Sequence, residues 1–255
     1  MIQKERLDQY IFKQNTHEKL SHIQSLIMQG HVFVNDQKET KGGRLVSSKD
    51  IVELRYEQAK YVSRSGYKLA GAFLKFQLSC AHQHCLDIGQ STGGFTDFLI
   101  QNNAKHVLGI DVAYGKINPS IRNAPNVTVL ERQNARYVKI PNPHSIDLVV
   151  MDVSFISVVT ILENIVPQLR LSTHYVVLIK PQFEIEKSKL PKGGILNDTT
   201  LIRETLAKTK QKLTQIGLTY QGKCKAPLKG TKGNQEYFFW LLPASLTHRT
   251  SNEIG

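Results

Sequence analysis

Apolar residues recur along this chain in two different rhythms, and the change of rhythm divides it. In the first 55 residues, Leu7, Tyr10 and Ile11, then Leu20, Ile23, Leu26 and Ile27, fall at helical spacing. Thr16, ahead of His17-Glu18-Lys19, reads as a helix start and Gly30 as a stop. Val32-Phe33-Val34 predicts a strand, Asn35-Asp36 a turn, Gly42-Gly43 a break, and Asp50 to Leu54 a closing strand. The sum is a small αβ module.

From residue 63 the pattern becomes continuous apolar runs alternating with amphipathic stretches. Strands are predicted at 84–89, 106–111, 127–130, 146–152, 175–180 and 237–242. One helix follows the first strand through Phe98-Leu99-Ile100, and a long one covers 199–216. Apolar runs of this kind are buried on both faces, which implies a mostly parallel sheet between layers of helix. Ligands of such sheets bind at the carboxyl ends of the strands. The expected fold class is therefore α/β, a Rossmann-like domain preceded by a small α+β module. The expected boundaries are 1–56 for the module, 57–62 for a linker, 63–246 for the sheet domain and 247–255 for a polar tail.

Candidate chemistry gathers at the strand ends. The first strand runs into Asp87-Ile88-Gly89-Gln90-Ser91-Thr92-Gly93-Gly94-Phe95-Thr96-Asp97. Glycines there permit a tight turn and close backbone approach to a ligand. Asp111 ends the next strand, where a carboxylate grips a ribose diol in dinucleotide-type sites. Two cofactor classes compete. A nicotinamide site wants G-x-G-x-x-G, but Ser91 takes the second glycine position. Asp87 would repel a pyrophosphate, yet attract the amine and sulfonium of S-adenosylmethionine, so the sign of charge favours the methyl donor.

Lys180 closes the fifth strand, where partial desolvation would suit a proton acceptor. Asp152 ends the neighbouring strand, Lys68 lies in a predicted helix ahead of the first strand, and Glu236 precedes the last strand. Singly, each is an ordinary surface or capping residue; together, two lysines and two acids converge on one edge.

Composition adds a polyanionic partner. The formal net charge is +12, and residues 187–255 alone carry 12 Lys and Arg against 4 Asp and Glu. Arg64, Lys187, Lys189 and Lys192 are accordingly expected to meet RNA phosphates. Three cysteines make no disulfide framework, and Cys80-Ala81-His82-Gln83-His84-Cys85 fits no zinc spacing, so no metal is expected. The N-terminus has no secretory pattern and no apolar run is long enough to span a bilayer, which argues for the cytoplasm and against membrane insertion.

Two resemblances sharpen this. Arg6-Leu7-Asp8, Leu26-Ile27-x-x-Gly30-x-Val32-x-Val34-Asn35 and Asp50-Ile51-Val52 resemble the S4 RNA-binding domain over nearly all of residues 4–55. The resemblance implies RNA contacts by Arg6 and His22, although Ser21-His22 stands where S4 domains often carry Ser-Arg. The runs SRSGYKL (63–69), STGGFTD (91–97), VLER (129–132), MDVSFIS (151–157), KPQFE (180–184), KGG (192–194) and GNQEYFFWL (233–241) resemble the FtsJ-like ribose 2′-O-methyltransferases. With the S4-like module, the chain is similar to the TlyA (hemolysin A) family throughout. This implies a Lys68, Asp152, Lys180 and Glu236 tetrad, with Asn134 facing the adenine of the cofactor. It also implies ribosomal RNA within ribosomal subunits as substrate, modified on a cytidine 2′-hydroxyl; separately, a monomer is expected. Two departures stand out: Gln90 where alanine is common, and Asn118-Pro119 in a segment that relatives often keep helical. A non-catalytic ribosome-assembly factor and a membrane-active hemolysin are the competing expectations.

Overall fold

The computed structural model describes residues 4–14, 18–55 and 59–244. The expected helix start at Thr16, the first two residues of the linker and the tail lie outside them. Contacts within the chain divide it into two units, Met1–Lys60 and Tyr61–Gly255.

The first unit opens with β1 (Lys4–Arg6), α1 (Leu7–Gln14) and α2 (Leu20–Met28). Next come β2 (Val32–Val34), β3 (Gln37–Glu39), β4 (Leu45–Ser47) and β5 (Val52–Leu54). Its core is Leu7, Ile11, Ile23 and Ile27 packed on Val32, Val34 and Val46. These are the helical-period positions closing over alternate strand residues. β2 pairs antiparallel with β3 and β5, and β1 with β4. Gly30 does end α2, at a φ of +75°.

The second unit begins with α3 (Arg64–Phe76), β6 (His84–Ile88), α4 (Gly94–Gln101), β7 (His106–Ile110), α5 (Pro119–Arg122) and β8 (Val127–Leu130). It continues with β9 (Leu148–Met151), α6 (Val158–Ile165), β10 (His174–Ile179) and α7 (Pro181–Glu184). It ends with α8 (Thr199–Gln215), β11 (Leu218–Lys225) and β12 (Tyr237–Pro243). The seven strands lie in the order β11-β12-β10-β9-β6-β7-β8. β6 to β10 are parallel, while β12 runs antiparallel to β10 and β11 antiparallel to β12.

Helices cover both faces, as the apolar runs require. Residues of α3 and α4, led by Leu69, Phe73, Phe98 and Leu99, pack on Cys85, Val107, Val150, Val176 and Phe238. Residues of α6 and α8, led by Ile161, Leu162, Ile165 and Leu206, pack on Leu86, Val149, Val177 and Phe239. The Rossmann-like expectation holds. Asn118-Pro119 starts α5: the Asn118 side chain accepts the Ser120 amide, and proline suits a first helical turn. In this unit, β11 is the strand that the periodicity did not predict. Its outward residues Thr219, Gln221, Lys223 and Lys225 are exposed, and the register slips between Tyr220 and Gly222.

Candidate active site

The parallel strands β6, β9 and β10 deliver their carboxyl ends to one side of the sheet. Two adjoining clefts open there, of about 990 and 380 Å³. Both are lined by Gly89, Ser91, Asp152, Ser154, Phe155 and Ile156.

The smaller cleft lies past the end of β7 and includes Asp111 and Asn134. Asp111, just past β7, accepts the Ser91 and Ala113 amides at 2.7 Å each, which fixes the loop to the strand end. Asn134 lines this cleft, its side-chain oxygen accepting the Arg136 amide at 3.1 Å. Gly89 lies so close to β9 that a Cβ would stand 2.4 Å from the Asp152 carbonyl oxygen, and its φ is +83°. Only glycine lets the loop pass there.

The larger cleft holds the two lysine–acid pairs. Lys180 Nζ lies 2.5 Å from Asp152 Oδ1 and donates to Ser154 Oγ at 2.9 Å. Lys68, brought by α3, donates to Glu236 Oε2 at 2.6 Å, with side chains only 7% and 4% exposed. All four tetrad residues line one cleft. Arg64 and Lys187 line its mouth, and Arg64 also bonds the Lys229 carbonyl oxygen.

Several predicted positions fall elsewhere. Asp87 is wholly buried in β6, beneath the loop, because both faces of that central strand are covered. Burial pushes its carboxyl up to about 7 against the Thr96 hydrogen bond, with the Asp152 and Asp111 charges adding to the rise. Thr96 is equally buried and donates to Asp87 Oδ2 at 2.7 Å. Gly93 faces Ile117 and Ile121, and Gly94 packs on Ser63 and Ser65, so both serve close packing. Thr92 and Phe95 do line the larger cleft. Lys189 pairs with Glu186 at 3.6 Å and Lys192 is exposed; neither lines these two clefts. In the first unit, Arg6 holds Asp8 through two hydrogen bonds, which keep that carboxyl below its ordinary range. His22 lies 3.8 Å from Glu18.

Sequence reasoning gave no role to Ser154, Phe155, Glu184 or Asn234. Phe155 is 87% exposed at a φ of +66°, with its ring 4.9 Å from that of Phe183. Glu184 accepts Ser157 Oγ and the Val158 amide at the start of α6, and burial pushes its carboxyl up. Asn234 ties the Gly194 turn to the Glu236 strand, accepting from the Leu196 amide and donating to the Gly194 carbonyl oxygen at 2.8 Å each. The available signal was position: Ser154 and Phe155 directly follow a buried strand, and Asn234 precedes Glu236 by two residues.

A glycine loop after β6, a carboxylate after β7 and paired lysines and acids at the strand ends define a Rossmann-like methyltransferase. The chain belongs to the FtsJ-like methyltransferase family, whose profile matches residues 61–242, while that of the S4 domain matches 5–52. It is 38% identical to Hemolysin A of Brachyspira hyodysenteriae, over 91% of this chain and 97% of that one. It is 35% identical to the 16S/23S rRNA (cytidine-2′-O)-methyltransferase TlyA of Mycobacterium tuberculosis, over 94% and 91%. Among solved structures, one from Streptococcus thermophilus described as a candidate hemolysin superposes with a TM-score of 0.72 at 30% identity, covering 96% and 90%. The fold and family imply S-adenosylmethionine as methyl donor. Among the described residues, no helix is long and apolar enough to cross a membrane.

Proposed function

We propose that this protein transfers a methyl group from S-adenosylmethionine to the ribose 2′-hydroxyl of a cytidine in ribosomal RNA, met within ribosomal subunits. The observation that carries the reading is Lys180, held between Asp152 and Ser154 in the cleft that also contains Lys68 and Glu236. The S4 domain and the activity named for the Mycobacterium tuberculosis relative support the RNA substrate.

The residues present fit the donor. Asp87 Oδ1 is buried without a hydrogen-bond partner just beneath the glycine loop, a negative centre for a cationic ligand. Gly89, Ser91, Thr92 and Phe95 would bound the methionine end, and Asp111 and Asn134 the adenosine. When bound, S-adenosylmethionine supplies an electrophilic methyl group.

The rest is done by the chain. Asp152, 2.5 Å away, takes a proton from the Lys180 ammonium, and the neutral Nζ then steers the 2′-hydroxyl and receives its proton. The Lys68–Glu236 pair fixes the opposite wall and orients the ribose. Arg64 and Lys187 attract the phosphates. Orientation supplies most of the acceleration, since positioned reactants are worth roughly 7–11 kcal/mol.

The test is methyl-labelled S-adenosylmethionine with unmodified ribosomal subunits. Label recovered as 2′-O-methylcytidine is expected. Labelled base, or no label in subunits or naked RNA despite cofactor binding, would overturn the proposal.

A further inference from the structure

A buried hydrogen-bond chain runs beneath the cofactor loop and begins at Gln90, which is only 4% exposed. Gln90 Nε2 donates to Thr96 Oγ1 at 2.8 Å, and Thr96 Oγ1 donates to Asp87 Oδ2 at 2.7 Å. The direction is forced. An amide N–H can only donate, so it occupies the threonine oxygen and leaves the hydroxyl proton for the carboxylate. The glutamine fits because residue 109, opposite Asp87 on β7, is glycine. A Cβ there would lie 2.0 Å from Gln90 Cδ and Nε2.

Asp87 needs this support. Its other oxygen is buried with no partner. The charges acting on it from the adjoining strands are Asp152, past β9, and Asp111, past β7, and both oppose a third anion. α4 offers the Thr96 hydroxyl and backbone amide. Asp97 of that helix is engaged with the Val62 amide and Gln101. On α3, the Lys68 ammonium is paired with Glu236. No cation is therefore aimed at Asp87 from these elements, and hydrogen bonding is what favours its charged form.

We infer that Gln90 is a positioning residue for cofactor binding: through Thr96 it favours the charged form of Asp87, so that the loop presents more negative charge to a cationic ligand. This rests on reading the loop as the S-adenosylmethionine site. A neutral Asp87 would leave an orphaned, uncharged carboxyl under a ligand whose amine is cationic, and affinity would fall with pH.

The experiment is calorimetric titration of the full chain with S-adenosylhomocysteine, whose amine is cationic, from pH 5.5 to 9.5. Wild type is compared with Gln90→Leu and Thr96→Val. Wild-type affinity should weaken as pH falls through neutrality. In Gln90→Leu the decline should begin about one pH unit higher, giving about fivefold weaker binding at pH 7 and convergence with wild type above pH 9. Thr96→Val should show the same shift or a larger one. The ligand's own titration is common to all three proteins and cancels. An equal loss at every pH in both variants would mean a deformed loop and would overturn the inference, as would three superimposable profiles. Wild-type protein that binds no S-adenosylhomocysteine at any pH would instead overturn the assignment of the site itself.

Discussion

Lys180 reaches across from β10 to Asp152 at the end of β9, with Nζ 2.5 Å from Oδ1 and only 10% of the lysine side chain exposed. A base held this way is oriented before substrate arrives. Lys180→Ala should lower kcat by roughly 10²–10⁴-fold while leaving S-adenosylhomocysteine affinity unchanged. Lys180→Arg should not restore turnover, because guanidinium keeps its proton. Near-wild-type turnover in the arginine variant would show that charge, not proton transfer, is what the position supplies.

The Lys68–Glu236 pair is more deeply buried. Glu236→Ala leaves an unpaired ammonium and should cost about 3–5 kcal/mol in urea unfolding. The double variant Lys68→Met with Glu236→Met should regain most of that stability and remain inactive. If the double variant methylates RNA, the pair serves the fold alone.

Gln90 and Gly109 share one space. Gly109→Ala should destabilise by about 1–3 kcal/mol by overpacking. The same change in a Gln90→Ala background should be nearly neutral, since the atoms it strikes are gone. Additive effects in this double-mutant cycle would show that the two positions are independent.

Asp87 couples stability to pH in the direction opposite to a surface carboxylate. Its folded value, about 7, lies above the ordinary 3.8, so the folded state holds the proton more tightly. Its contribution to stability is full below pH 3.8 and is lost as pH rises toward 7. At about 1.4 kcal/mol per pH unit this is a ceiling of roughly 4 kcal/mol. Asp87→Asn should therefore raise Tm at pH 8, change it little at pH 4, and weaken S-adenosylhomocysteine binding. A variant less stable than wild type at pH 8 would contradict the argument.

The central strands were legible because a strand covered on both faces must be apolar throughout, as Tyr175 to Ile179 are. Asp152 and Lys180 stood out because a polar residue at the end of such a run has few other reasons to be there, whereas Lys68 and Glu236 were joined with them into a tetrad only through the family resemblance. How Asp87 is held was not legible, for the same physical reason in reverse. A carboxylate inside a covered strand looks from the sequence like a ligand contact, and only the packing shows that Thr96 and Gln90 stand behind it. Gln90 itself read as a mere departure, since its fit depends on Gly109 across the sheet. β11 escaped because its alternation is broken by the slip at Gln221 and its lysines read as surplus charge. The roles of Glu184 and Asn234 depend on contacts 27 and 40 residues away, which no local pattern encodes.

β11 also changes what part of the basic charge is for. Among the described residues it is an edge strand of the sheet, and an open strand edge is a template on which another chain can add itself. Lys223 and Lys225 stand exposed along it, and the bulge at Gln221 interrupts its regular repeat. Both are obstacles to edge-to-edge pairing. Some of the lysines in the C-terminal quarter thus act as guards against aggregation, and a protein handling a polyanion gains solubility from the same residues that draw that partner in.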